Sequence, residues 1–290
     1  MSFETQLKSE AARIGQALDG HLRQFGDDTI AEGMRYATSG GKRLRGFLVV
    51  SAAQLFEAPR EGHLLAASAI ECLHAYSLVH DDLPCMDDDD LRRGHPTVHK
   101  KWDEATAVLV GDALQTFAFE LLARDDVHAN ANVRVQLIKT LARASGAEGM
   151  VLGQAQDIAA ESTGTDLSLD EIMVLQANKT GALIRWSAEA GALLAEEDPE
   201  ALRRYATALG LAFQIADDIL DVTGDEEKAG KRLQKDADAG KATFVSLLGL
   251  DGARARARDL VAEAVDALCI YDARADGLRA AANFVISREH

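Results

Sequence analysis

Two runs of aspartate carry the strongest chemical signal in this chain. In the second, Phe213-Gln-Ile-Ala-Asp-Asp-Ile-Leu-Asp221, Asp217 and Asp221 are four apart and share one helix face, separated by a rise of about 6 Å. Gln214 is expected on that face one turn earlier. Like charges at this spacing repel, by roughly 4 kcal/mol at 4 Å for the effective dielectric of a protein surface. A bridging cation would reverse the sign. Taken alone, the run also fits the solvated end of a charged helix.

The first run is richer, spanning His74 to Gly94 with Asp81, Asp82, Asp87, Asp88, Asp89 and Asp90. His74, Ser77 and Asp81 fall on one helical face. Pro84 should then force the chain out of the helix, letting Asp87 fold back toward Asp81. Carboxylate oxygens suit Mg²⁺, which takes one or two protein carboxylates and keeps positions open for water and phosphate. A calcium loop of the DxDxDG type is absent from the run. Arg92 and Arg93 follow the acids immediately, and their forked donors match diphosphate oxygens that a metal leaves free. Other isolated cations fit the same need: Gly40-Gly41-Lys42-Arg43-Leu44-Arg45, expected to open a helix whose free N–H groups favour an anion; Lys179 beside Thr180; Lys231; and Lys241.

The elements that must position these residues read as helices. Apolar residues recur at three- and four-residue spacing over 64–80, 97–123, 133–145, 149–161, 170–194, 199–222, 242–248 and 254–268. Residues 47–50 could be strand alone but continue into alanine-rich sequence. With no alternating segment between turn residues, no sheet is expected. Several helices are apolar around most of their circumference, which places them inside a bundle. Breaks fall at 82–96, 162–165, 196–198 and 223–240. No Pro/Ser/Gly-rich linker divides the chain, so one domain over 1–290 is expected.

Composition narrows the partners. The 290 residues carry 47 acidic and 31 basic side chains, net −16, which argues against nucleic acid or an anionic membrane. Three cysteines without a CxxC pair suggest neither a disulfide framework nor a zinc site. The polar N-terminus and the lack of an apolar run of about 20 residues point to a cytoplasmic protein with no membrane span.

With these pieces assembled, the chain resembles the trans-isoprenyl diphosphate synthases, most of all the bacterial farnesyl diphosphate synthases. The likeness rests on GGKRLR, ECLHAYSLVHDDLPCMDDDDLRRGHPT, GDALQT, GQAQD, NKTGALIR, FQIADDILDVTGD and GKATF, in that order between Gly40 and Phe244. The first ninth of the chain and the tail beyond Gly252 add little to it. The resemblance implies an all-α isoprenoid synthase fold of about ten core helices around a deep central cavity, assembled as a homodimer. It implies head-to-tail condensation of isopentenyl diphosphate with dimethylallyl or geranyl diphosphate.

By the same resemblance, Asp81, Asp82 and Asp87 would hold two Mg²⁺ ions, and Asp217, with Asp218 or Asp221, a third. Arg92, Lys179, Gln214, Lys231 and Lys241 would bind the allylic diphosphate, with Thr180 beside the developing cation. Gly41, Lys42, Arg45, His74 and Arg93 would form the isopentenyl diphosphate site. Tyr76, with Ser77 next to it, would be the floor that sets product length, although ordinary core packing is the alternative. The polar loop 223–240 is a candidate lid. Two departures stand out: Gly46 where many relatives have proline, and Phe244 where many have tyrosine. Rival readings are a geranylgeranyl or geranyl diphosphate synthase, a terpene cyclase or squalene-type synthase (neither of which needs the GGKRLR site), a non-catalytic partner subunit, and a plain acidic cation binder. The last leaves Arg92, Arg93 and Lys179 unexplained.

Overall fold

The computed structural model describes residues 2–58, 60–163, 167–223 and 243–287. They form an all-α bundle. Helices α1 (Phe3–Leu22), α2 (Thr29–Ala37), α3 (Leu44–Leu55) and α4 (Arg60–Asp81) lead to a short hairpin. Then come α5 (Val98–Lys101), α6 (Glu104–Ala123), α7 (Ala131–Ser145), α8 (Met150–Thr163) and α9 (Leu169–Gln176). A π turn (Ala177–Gly181) joins α9 to α10 (Ala182–Leu194), followed by α11 (Glu200–Thr223), α12 (Phe244–Ala267) and α13 (Asp276–Ser287). Starts are marked by side-chain caps. Ser2, Asp28 and Asp103 accept N–H bonds in the first turns of α1, α2 and α6, and reciprocal capping boxes open α9 (Ser168, Glu171) and α12 (Thr243, Ser246).

Two apolar clusters fill the bundle. One gathers Ile70 and Leu73 of α4, Leu114 and Phe117 of α6, Leu137 of α7 and Trp186 of α10. The other gathers Phe47 and Leu48 of α3, Tyr205 and Leu209 of α11, Phe244 of α12 and Leu278 of α13. Each such side chain contributes about 1.5–3 kcal/mol by leaving water. Helix α3 is buried along almost its whole length, as its all-round apolar sequence requires. It packs on α10, where Gly191 leaves room that a Cβ would lose, 2.4 Å from the Ala53 nitrogen. Helix α6, 20 residues long, is apolar enough to cross a membrane by length and composition, contrary to the expectation that no run reaches that length. In the bundle its apolar side, from Ala107 to Leu122, packs on α4 as core.

Several boundaries differ from expectation for identifiable reasons. The 97–123 segment breaks at Trp102, where φ −119° and ψ −97° end α5 and Asp103 caps α6. The 170–194 segment is interrupted by the π turn. The described part of segment 242–248 runs on into segment 254–268 as α12, apart from a kink at Gly249, φ +70°. A small sheet does occur: β1 (Leu91–Arg92) pairs antiparallel with β2 (His95–Pro96). Arg93 (φ +55°) and Gly94 (φ +77°) form its turn, two positive φ values in a row, as tight hairpins require. The tail beyond Gly252, which carries no motif, supplies most of α12 and all of α13.

Candidate active site

Asp81 ends α4, and the chain beyond it turns as Pro84 dictates. The Asp87 N–H donates to the Asp81 carbonyl (2.8 Å), the Asp88 N–H to Leu83 (3.2 Å) and the Asp89 N–H to Asp82 (3.2 Å). The loop therefore doubles back and brings Asp87 toward Asp81. Burial, and next the charge of Asp87, push the Asp81 carboxyl up to about 7. Asp81, half-buried, and Asp87, exposed, could together serve as a donor pair for a divalent cation. Among the described residues no three His, Cys, Asp or Glu groups converge on one point. The donor set therefore fits an ion that takes one or two carboxylates and fills its remaining positions from water or phosphate.

Asp82, expected as a third ligand in this cluster, is engaged by an arginine. It is 3% exposed, and its Oδ1 accepts from both Nε (3.0 Å) and Nη2 of Arg92. Burial still raises its pKa, against the pull of Arg92. Asp82 thus holds Arg92 at the mouth of the loop, with Asp89 3.6 Å from the same guanidinium.

The π turn faces this loop. Turns with an i→i+5 bond are often found at functional sites, and this one is wedged by two glycines. A Cβ on Gly153 of α8 would lie 2.2 Å from the Lys179 nitrogen, and one on Gly210 of α11 3.0 Å from the Gly181 Cα. Lys179 Nζ lies 2.5 Å from Asp157 Oδ2. Burial pulls its pKa down, but Asp157, Asp81 and Asp87 outweigh that and the net shift is upward. The ammonium stays charged. Asp157 lies in GQAQD, a motif that received no role from sequence; opposite Lys179 it is the second holder of a site cation.

Thr180 and the second acidic cluster meet across the next interface. The Thr180 hydroxyl donates to Gln214 Oε1 (3.2 Å), and Gln214 Nε2 donates to Asp218 Oδ1 (3.1 Å). Asp218 is buried, and its Oδ2 accepts the N–H of Phe244 at 2.8 Å, so it ties α11 to the start of α12. Gln214 bonds Asp218, four residues on, and its helical setting also leaves it on the face of Asp217 and Asp221. Those two remain half-buried on α11. Phe244, without the tyrosine hydroxyl, is fully buried. Lys231, Lys241 and nearly all of the candidate lid 223–240 lie outside the described residues.

A cationic cavity of ≈ 120 Å³ opens at the N-terminus of α3. Lys42, Arg43, Arg45, His74 and Arg93 form its polar wall, and Leu7, Phe213, Phe284 and Val285 its apolar wall. Arg45 Nε is buried with no hydrogen-bond partner, a donor waiting for an anion. Burial lowers the Arg45 pKa against the pull of Glu71 and Asp217. Burial, then Arg45, Arg93 and Arg92, hold His74 well below its ordinary value, so the imidazole is neutral. Gly41 sits at φ +79°, and a Cβ there would lie 2.8 Å from Arg93 Cζ. Its glycine thus permits the approach of Arg93, whose Nη1 also donates to the Ser39 carbonyl (3.1 Å).

Lys42, Arg45, His74 and Arg93, grouped by sequence reasoning, line one cavity in the structure. That reasoning missed Arg43, Glu71 (which accepts the Gly46 N–H at 2.8 Å) and Phe284, whose ring lies 5.8 Å from Lys42 Nζ. The GGKRLR run signalled Arg43; nothing in the tail signalled Phe284. Tyr76 is 6% exposed, edge-on to His80 at 5.7 Å and hydrogen-bonded to Gln115. The Ser77 hydroxyl is taken by the His74 carbonyl (2.9 Å) of its own helix.

Comparison with known proteins identifies the family and the fold. The polyprenyl synthetase family model matches residues 27–268. The farnesyl diphosphate synthase of Escherichia coli (strain K12) is 44% identical over 99% of both chains. An FPP/GFPP synthase from Zymomonas mobilis superposes with a TM-score of 0.88 at 46% identity, covering 97% of this chain and 99% of that one. A geranyltransferase from Helicobacter pylori, solved with magnesium and isoprenyl diphosphate, gives 0.83 at 35% identity over 99% of each chain.

Proposed function

The chain belongs to the polyprenyl synthetase family, and on that premise we propose that it is a farnesyl diphosphate synthase, a prenyltransferase extending dimethylallyl and geranyl diphosphate with isopentenyl diphosphate. The observation that carries this reading is the pairing of two anion sites. Lys179 stands on the π turn within the field of Asp81 and Asp87, and a separate cationic cavity opens at Arg45 and Arg93. A single-substrate hydrolase would have no use for the second.

Ionisation breaks the allylic C–O bond and leaves the electron pair on diphosphate. Arg92 and Lys179 are placed to receive that negative charge, each stepping across from the aspartate that holds it. Thr180 and Gln214 present oxygens to the allylic cation. The isopentenyl double bond then forms the new C–C bond, and the proton lost next goes to the departed diphosphate. Mg²⁺, held by Asp81 and Asp87 on one side and by Asp217 and Asp221 on the other, would supply Lewis-acid charge neutralisation. Magnesium in the Helicobacter pylori structure supports that ion, and three per site is our expectation. Lys231, from the loop 223–240 that we read as a lid, and Lys241, just after it, would complete the diphosphate cradle.

We read the chain as one polyprenyl synthetase domain acting as a cytoplasmic homodimer. Val108 and Leu109 on α6, 41% and 54% exposed, support a second copy covering that face. Incubation with Mg²⁺, isopentenyl diphosphate and either allylic starter should yield a fifteen-carbon product. No product with either starter would sink the synthase reading, and a twenty-carbon product would make it a geranylgeranyl diphosphate synthase.

Two substitutions probe the details. Tyr76→Ala should lengthen the product, because it removes the bulk one turn before Asp81; an unchanged product profile by chromatography would return Tyr76 to core packing. Gly41→Ala adds about 1–2 kcal/mol of left-handed backbone strain and displaces Arg93. It should raise the KM for isopentenyl diphosphate about tenfold and leave the allylic KM unchanged in steady-state assays.

A further inference from the structure

The far end of the aspartate-rich loop is tied down by a buried relay that the reaction itself does not need. The Thr97 hydroxyl donates to the Asp89 carbonyl (2.9 Å) and lies 3.1 Å from Nδ1 of His99. Thr97 and His99 are both buried. A hydroxyl has one proton, and here it is committed to a carbonyl that cannot donate in return. The His99 contact must therefore run the other way, from Nδ1–H to Thr97 Oγ1. With Nδ1 as the donor, the remaining ring nitrogen is Nε2. His99 Nε2 is buried without a partner, which a lone pair tolerates better than an N–H would.

The relay does not act alone on this loop. Thr97 N–H donates to Asp90 (3.0 Å), and Tyr36 of α2 donates its hydroxyl to the Pro96 carbonyl (2.7 Å). Asp89 in turn donates its N–H to Asp82. Asp87 is thus suspended between Asp81, which fixes one end of the loop, and Asp89, which Thr97 fixes at the other.

We propose that His99 is a positioning residue: through Nδ1–H to Thr97, and Thr97 to the Asp89 carbonyl, it holds the loop so that Asp87 faces Asp81. This rests on the reading above, in which those two carboxylates share a divalent cation.

The test uses the full chain labelled with ¹⁵N-histidine. The His99 signal is assigned by its loss in His99→Asn from among the eight histidines. Its ring shifts should report the Nδ1–H tautomer. Asn carries an N–H near the Nδ1 position, so His99→Asn should keep the Mg²⁺ concentration for half-maximal activity within about twofold of the parent. His99→Phe and Thr97→Val remove the relay. Each should raise that concentration, and the allylic KM, about 10–100-fold, the pair together no more than either alone, with the isopentenyl KM unmoved. An Nε2–H or doubly protonated His99 would overturn the proposal. So would unchanged magnesium dependence in His99→Phe and Thr97→Val, or a folded His99→Asn as impaired as His99→Phe. Should the parent make no prenyl product, the synthase reading fails; the tautomer, and Mg²⁺ binding by calorimetry with inorganic diphosphate present, still decide the role of His99.

Discussion

Asp81→Asn should lower kcat about 10³-fold and at the same time stabilise the metal-free protein. Both effects have one cause. Burial and the neighbouring charge of Asp87 push the Asp81 carboxyl up to about 7, from an ordinary value near 3.8. Below about pH 4 the acid is protonated in both folded and unfolded chains and the shift has no effect. As pH rises from 4 to 7, the unfolded chain ionises and the folded one resists, so folding loses stability over that window and the loss is complete above 7. Asparagine carries no such penalty. Urea unfolding in the absence of metal should show Asp81→Asn more stable than the parent by on the order of 1–3 kcal/mol at pH 8, and equal to it near pH 4. The same carboxylate makes magnesium compete with a proton. Affinity for Mg²⁺ should therefore rise through pH 7 more steeply in the parent than in the variant. A parent stability that does not fall between pH 4 and 7 relative to Asp81→Asn would refute this account of Asp81.

Lys179→Met should lose about 10²–10³-fold in rate and about 3 kcal/mol in stability, and the two losses are separable. The rate falls because the buried cation no longer meets charge developing on the leaving diphosphate. Stability falls because Asp157, with a side chain only 16% exposed, is left without its ammonium. Adding Asp157→Leu removes the stranded charge. The double variant should recover most of the stability in urea unfolding, since a buried ion pair and an apolar pair of similar volume are often equivalent. Its rate should stay low. Recovery of rate alongside stability would mean that Lys179 serves only the fold.

These two residues were legible in the sequence because their chemistry lies in short strings with helical spacing. Asp81 follows an amphipathic helix, and Lys179 interrupts an apolar one. The cationic cavity was legible for the same reason on its polar side. Its apolar side was not, because Phe284 comes from a tail where an aromatic residue looks like any other core residue. The bond from Gln214 to Asp218 follows helical periodicity, since the two stand four residues apart. The contact of Asp82 with Arg92 was not legible, since Arg92 reaches it only through the hairpin turn at Arg93 and Gly94. The hairpin itself consists of two-residue strands, too short for any alternation to show.

The π turn at Ala177–Gly181 has a consequence for how this chain tolerates change in length. A residue advances an α-helix by 100°, so the wide turn acts as a phase shifter between α9 and α10. It lets the buried stripe of α9, at Ile172 and Leu175, and that of α10, at Leu183 and Trp186, each keep its own angular setting. Deleting one residue here would preserve every motif letter outside the turn and both helices. Yet it would rotate one stripe out of the core or swing Lys179 away from Asp157. A relative missing one position at this turn would keep the appearance of a synthase in its sequence while its ammonium pointed elsewhere.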